Sequence, residues 1–155
     1  MFRPRDRIRG LILLSCLDLT SPKLEMRRAS FSIRALFAVC LLVATFNHAK
    51  IIVQHGLFWD FGFGSQIVFA SRIYWDLLTV LDPLAAVLLF FRPRTGIGLT
   101  VSIIVSDVLH NTYYVAISGH WLSLFYVAQV GFLVVVLALR SVAVRGLEPG
   151  RHAFG

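Results

Sequence analysis

Four apolar stretches follow one another along this chain, at roughly Ile33–Val53, Gln66–Phe91, Ile97–Ile117 and Leu122–Arg140. A helix of about 20 apolar residues crosses the hydrocarbon core of a bilayer. Lipid offers a backbone no hydrogen-bond partner, so such stretches must close their own peptide hydrogen bonds as helices or in a barrel. The period-two alternation of a barrel strand is missing from all four. The pattern therefore predicts an all-α integral membrane protein, an up-down four-helix transmembrane bundle. Its helices are expected at about 33–53, 66–91, 97–117 and 122–140, within a domain covering 31–141. Composition agrees, because 57% hydrophobic and 15% charged residues leave too little polar surface for a water-soluble domain.

A net charge of +7 raises nucleic-acid binding, but the placement of the charges argues against it. Arg27, Arg28 and Arg34 lie at the start of the first stretch, Arg92 and Arg94 between the second and third, and Arg140, Arg145 and Arg151 beyond the fourth. The alternate loops, 54–65 and 118–121, contain neither Lys nor Arg. That asymmetry is the positive-inside pattern and predicts a bacterial inner-membrane protein with both termini in the cytoplasm. The basic residues then orient the chain and meet anionic headgroups. The expected partners are the lipid bilayer and a lipidic or amphipathic small molecule, with a homo-oligomer or a larger membrane complex left open. Nucleic acid is not among them.

Residues 1–30 differ from the rest. MFRPRDRIRG is highly charged, and LILLSCLDL is too short to span. Two readings stand side by side: an extension ahead of a start at Met26, or a basic amphipathic segment on the cytoplasmic face. The segment RRASFSIRALFAVCLLVATF also resembles a secretory signal peptide, but the following NHAKIIV lacks small residues at both cleavage positions. An uncleaved first helix is preferred. Residues 142–155 form a basic tail. Cys16 and Cys40 make no CxxC, so neither a disulfide framework nor thiol exchange is expected.

The polar residues inside the apolar stretches point to function. With about 100° per residue, Arg72, Asp76, Thr79 and Pro83 fall on one stripe of the second helix, with Asp82 off it. A charge near the bilayer centre costs several kcal/mol unless it is paired and turned inward, so this stripe is expected to face the bundle interior. On the third helix Asp107, His110, Asn111, Tyr114 and Thr100 converge on one surface. Asn47, His48 and Lys50 add to them from the first helix, and Tyr126 and Gln129 from the fourth. Most of these groups lie in the middle and outer half of the expected bundle. Interhelical hydrogen bonding alone would explain one such pair, but this density favours a site.

The candidate ligand-binding residues are Arg72, Asp76, Asp107, His110, Asn111, Tyr114 and Gln129. If a reaction is catalysed, Asp76, Asp107 and His110 are the acid–base candidates. Pro83 is expected to bend the second helix. His48, His55, His120 and Asp60 stand near the outer edge without metal-ligand spacing, and neither a metal nor a cofactor is expected. The aromatic loop QHGLFWDFGFGSQ is read as an interfacial belt in preference to a lid. The layout loosely resembles small four-helix membrane proteins of the sterol-isomerase type; no shared motif supports it, and no residue role is carried over.

The functions in competition are ligand binding or sensing, lipid, isoprenoid or quinone chemistry, proton-coupled transport, and service as an accessory subunit.

Overall fold

A computed structural model describes residues 22–61 and 67–145, and within them the chain is helical without strands. The helices are α1 (Pro22–His55), α2 (Phe69–Phe91), α3 (Pro93–Ser118) and α4 (Leu124–Arg145). Each packs on its neighbours in sequence, and α1 also packs on α4, which closes a four-membered ring of helices. The links are short: Arg92 alone joins α2 to α3, and residues 119–123 join α3 to α4. Links of this length make consecutive helices antiparallel neighbours.

Among the described residues three helices, α1, α2 and α4, are long and apolar enough to cross a membrane. α3 is longer than α2, but Ser102, Ser106, Asp107, His110, Asn111 and Thr112 dilute its apolar character. α1 begins at Pro22, eleven residues before the first apolar stretch, and its charged first turns continue the same helix. Met26 lies inside it, while residues 1–21, the rest of the expected leader, and the tail from 146 onward lie outside the described residues.

The helices pack through a repeat alternating between four and three residues. On α2 the buried positions include Ser71, Trp75, Leu78, Asp82, Ala85 and Leu89. On α3 they include Thr100, Ile104, Asp107, Asn111 and Tyr114, and on α1 Ser30, Arg34, Phe37, Leu41 and His48. This is the 3.5-residue period of helices packed with knobs into holes. The outward faces carry leucine, valine and phenylalanine: Val53, Phe91, Leu122 and Leu124 are each more than 80% exposed. Soluble monomers rarely expose apolar surface so extensively, whereas a lipid belt requires it.

The Arg92 end of the bundle is fastened by a proline and an arginine. Pro93 has no N–H, so the carbonyl of Leu89, four residues earlier, loses its helical donor. Arg34 of α1, itself buried, donates Nη1–H to that carbonyl at 3.0 Å and Nε–H to Ser30 O at 3.3 Å. Ser30 Oγ in turn donates to Ala143 O of α4 at 2.6 Å. Here α3 also meets α2 closely: a Cβ on Gly96 would run into the α2 backbone at Leu89 N and Leu88 C. At the opposite end Gly119, with φ +74°, caps α3 in the left-handed conformation and returns its N–H to Val115 O at 2.9 Å.

Candidate functional site

The functional side chains are set by the inward stripes, and on α2 that stripe is rotated by one residue from the expectation. Ser71, Trp75, Leu78 and Asp82 face the interior; Arg72, Asp76, Thr79 and Pro83 lie half-buried on the flank. Small residues decide this, because Ser71, Ala85 and Ala86 let α2 approach its neighbours closely, as membrane helices prefer. α2 also runs unbroken through Pro83.

Arg72 and Asp76 serve the loop after α1. Asp76 Oδ2 accepts the Phe58 N–H at 2.8 Å, and Arg72 Nη1 donates to the Phe58 carbonyl at 3.5 Å. Phe58 has φ +61°, a conformation unfavourable for a bulky residue, and these contacts help hold it there. The Phe58 ring packs on Phe69 at 5.3 Å between centroids, and His55 stacks on Trp59 at 4.3 Å. The loop is thereby positioned so that Phe61 meets Trp75 at 4.5 Å.

In the middle of the bundle four polar side chains from three helices form one network. Asn111 Nδ2 donates to Asp107 Oδ1 at 2.8 Å and to Gln129 Oε1 at 3.1 Å. Gln129 Nε2 donates to Asp107 Oδ2 at 2.5 Å, and Trp75 Nε1 donates to Asn111 Oδ1 at 3.1 Å. Both Asp107 oxygens accept an amide N–H, and Asn111 uses both of its N–H groups. Asp82, only 2% exposed, is close enough to Asp107 for the two carboxyl groups to interact electrostatically. At a 1.5 Å rise per residue Asp82 and Asp107 lie about 20 Å and 16 Å from the helix ends nearest Gly119, whereas Asp76 lies only about 10 Å from its own. Asp82, like Asp107, is buried on an inward helix face, whereas Asp76 lies on the flank.

Above this network, toward Gly119, lies a cavity of about 270 Å³. Asn111 and Trp75 contribute to its wall together with His48, Tyr114, Tyr126 and Phe61. His48 is 5% exposed, and its Nδ1 is buried without a hydrogen-bond partner. Tyr114 bonds to Ser71 Oγ at 2.7 Å, and Tyr126 to Thr112 Oγ1 at 2.8 Å.

Of the expected ligand residues, Asn111 and Tyr114 line the cavity, and Asp107 and Gln129 stand behind Asn111. Arg72 and Asp76 hold the Phe58 loop. His110 packs among Tyr74, Trp75 and Tyr114, with centroid distances of 4.6, 5.3 and 5.4 Å. Its Nε2 is buried without a partner, and the residue is not part of the cavity wall. Phe61, within the aromatic loop, reaches the cavity. The signal for His48 was present in the sequence, since it falls seven residues after Leu41 on the stripe that begins at Ser30. Trp75 carries the corresponding signal on α2. Among the described residues no group of three or more His, Cys, Asp or Glu side chains is arranged to hold a metal ion.

Comparison with protein-family models, curated proteins and solved structures finds no match. The fold and the site together define a class: an all-helical four-helix assembly with three helices long and apolar enough to cross a membrane and a mostly apolar, aromatic-walled cavity.

Proposed function

We propose that this chain is a multi-pass protein of the bacterial inner membrane whose bundle binds a small lipidic or amphipathic molecule in the cavity at its Gly119 end. In this reading all four helices span, α3 included, because Asp107 and Asn111 turn inward and the exposed Ser102 and Ser106 hydroxyls bond back to carbonyls of their own helix. Arg27, Arg28, Arg92, Arg94, Arg140 and Arg145 gather at the opposite end, which supports placing that end and both termini in the cytoplasm. The cavity then opens toward the outer leaflet.

The observation that carries the binding reading is the pairing of an apolar, aromatic-walled cavity with a buried His48 Nδ1 that lacks a partner. Ligand sites combine such walls with a few placed polar groups. Transport is less favoured, because among the described residues the core toward Arg92 is mostly apolar, with Phe37, Ala85, Leu89 and Ile97, and the buried Arg34 and Ser30 there are engaged by backbone carbonyls. An accessory role would call for polar stripes on the outward faces, which carry mainly leucine, valine and phenylalanine.

The test is mass spectrometry of molecules that co-purify with the protein in mild detergent. Wild type should carry an enriched small molecule, and Val115→Phe, which fills the cavity, should lose it. Leu109→Phe, on the exposed face, should retain it. If wild type and Val115→Phe carry the same molecules in the same amounts, the cavity is not a binding site.

A second reading, an intramembrane enzyme using acid–base chemistry on a lipid, isoprenoid or quinone, is favoured by two carboxyl groups, Asp82 and Asp107, buried on inward faces of adjacent helices. There Asp107→Asn would abolish turnover while leaving ligand occupancy intact.

A further inference from the structure

We infer that the ligand presents an uncharged, single-ring head bearing a hydroxyl or carbonyl group, and that the His48 imidazole is the group that recognises it. This deepens the binding reading above and rests on it.

Among the described residues the wall of the cavity holds no Lys, Arg, Asp or Glu. Its polar members are two imidazoles, one carboxamide and the hydroxyls of tyrosine and serine, all neutral or titratable without a fixed charge. An ionic head entering such a wall would leave water without a direct counter-charge, which is costly in an apolar site. Arg72, a cation in the same half of the bundle, reaches the Phe58 carbonyl and is not in the wall.

A neutral hydroxyl or carbonyl meets the opposite situation. Asn111 has both N–H groups committed, to Asp107 and Gln129, and Trp75 Nε1–H is committed to Asn111. His48 Nδ1 alone among these groups is buried and unpartnered. As an acceptor it suits a hydroxyl, and as a donor it suits a carbonyl, the tautomer following the ligand. Size and shape narrow the class further. A volume of about 270 Å³ is below the roughly 300–1,000 Å³ of drug-sized sites, so it takes a head group and not a whole lipid. Phe61, Trp75, Tyr114, Phe125 and Tyr126 offer flat faces and edges on which a ring packs.

The experiment is native mass spectrometry of the full-length chain in mild detergent with three probes of equal chain length. These are 4-octylphenol, 4-octylbenzoate and (4-octylphenyl)trimethylammonium, at pH 7 and equal concentration. The phenol should give one saturable adduct that Val115→Phe removes, and the two ions should give none above the Val115→Phe level. His48→Phe, similar in size and still aromatic, should weaken the phenol adduct roughly tenfold, the effect of one buried hydrogen bond. His48→Gln, which can still donate and accept, should recover part of it. Circular dichroism and the unfolding midpoint verify that each variant is folded.

If either ion forms a Val115→Phe-sensitive adduct as readily as the phenol, the uncharged class is wrong while the cavity remains a binding site. If His48→Phe folds and binds the phenol like wild type, His48 is not the recognising group. If no probe forms an adduct that Val115→Phe removes, and wild type co-purifies with nothing enriched, the binding reading falls with this one.

Discussion

Replacing Asn111 by leucine, which has a similar shape, removes three hydrogen bonds, to Asp107 at 2.8 Å and to Gln129 and Trp75 at 3.1 Å each. Leucine recovers little in return. In a bilayer the separated helices still lie in lipid, so burying a leucine between them gains almost no hydrophobic energy. Hydrogen bonds in membrane bundles average about 0.6 kcal/mol each, which sets a floor of about 2 kcal/mol for the three. Each buried group left without a partner costs about 1–3 kcal/mol, which pushes the value upward for the Asp107 carboxyl and the Trp75 N–H. We expect a loss of about 2–4 kcal/mol. The assay is reversible unfolding in mixed micelles, followed by circular dichroism. Gln129→Leu removes bonds to the same Asn111 and Asp107, so the double variant should lose less than the sum of the singles, by about 0.6–1 kcal/mol. A loss below about 0.5 kcal/mol for Asn111→Leu, or strict additivity with Gln129→Leu, would show that the network does not hold the helices together.

Three further outcomes follow from contacts outside the cavity. Arg34→Met leaves the Leu89 carbonyl without a donor and should cost about 1.5–3 kcal/mol, the range for hydrogen bonds to charged groups. Arg34→Lys should recover only part, because a point charge reaches Leu89 O and Ser30 O together less well than a guanidinium; unfolding midpoints decide between them. Gly96→Ala should cost about 1–3 kcal/mol, because its Cβ meets the α2 backbone, whereas Gly98→Ala, with nothing within 4 Å, should be neutral or slightly stabilising in the same assay. Asp76→Ala should raise amide exchange at Phe58 by roughly tenfold and leave the unfolding midpoint of the bundle nearly unchanged, since it removes a loop contact and no interhelical one.

The helical class was legible from residues alone, because apolar stretches of bilayer length leave few ways to satisfy a backbone. The polar face of α3 was legible too: Thr100, Asp107, Asn111 and Tyr114 share a helical stripe in any packing, and all four are buried. What a one-helix projection lacks is the rotation of that helix against its neighbours. On α2 the charges of Arg72 and Asp76 drew the expected inward face to themselves. The packing instead follows Ser71, Ala85 and Ala86, the small residues that permit close approach, and brings Trp75 and Asp82 inside. The two charged residues reach a loop backbone that no residue pattern marks as needing them.

Arg34 shows the same division of labour. As a sequence letter it contributes to a basic flank. In the folded chain it supplies the donor that Pro93 withholds from Leu89, a relation between residues far apart in the chain. The sequence by itself determined that this chain is helical, that most of its helices are apolar enough for lipid, and which residue types must avoid that lipid. Only the tertiary structure decided which polar groups meet. A hydrogen bond depends on ångström-scale distances between helices, and these are set by side-chain volumes on several helices at once. Hence Asp107 meets Asn111 and Gln129, Asp76 meets a loop, and His48 lies buried at the cavity with its Nδ1 unmatched.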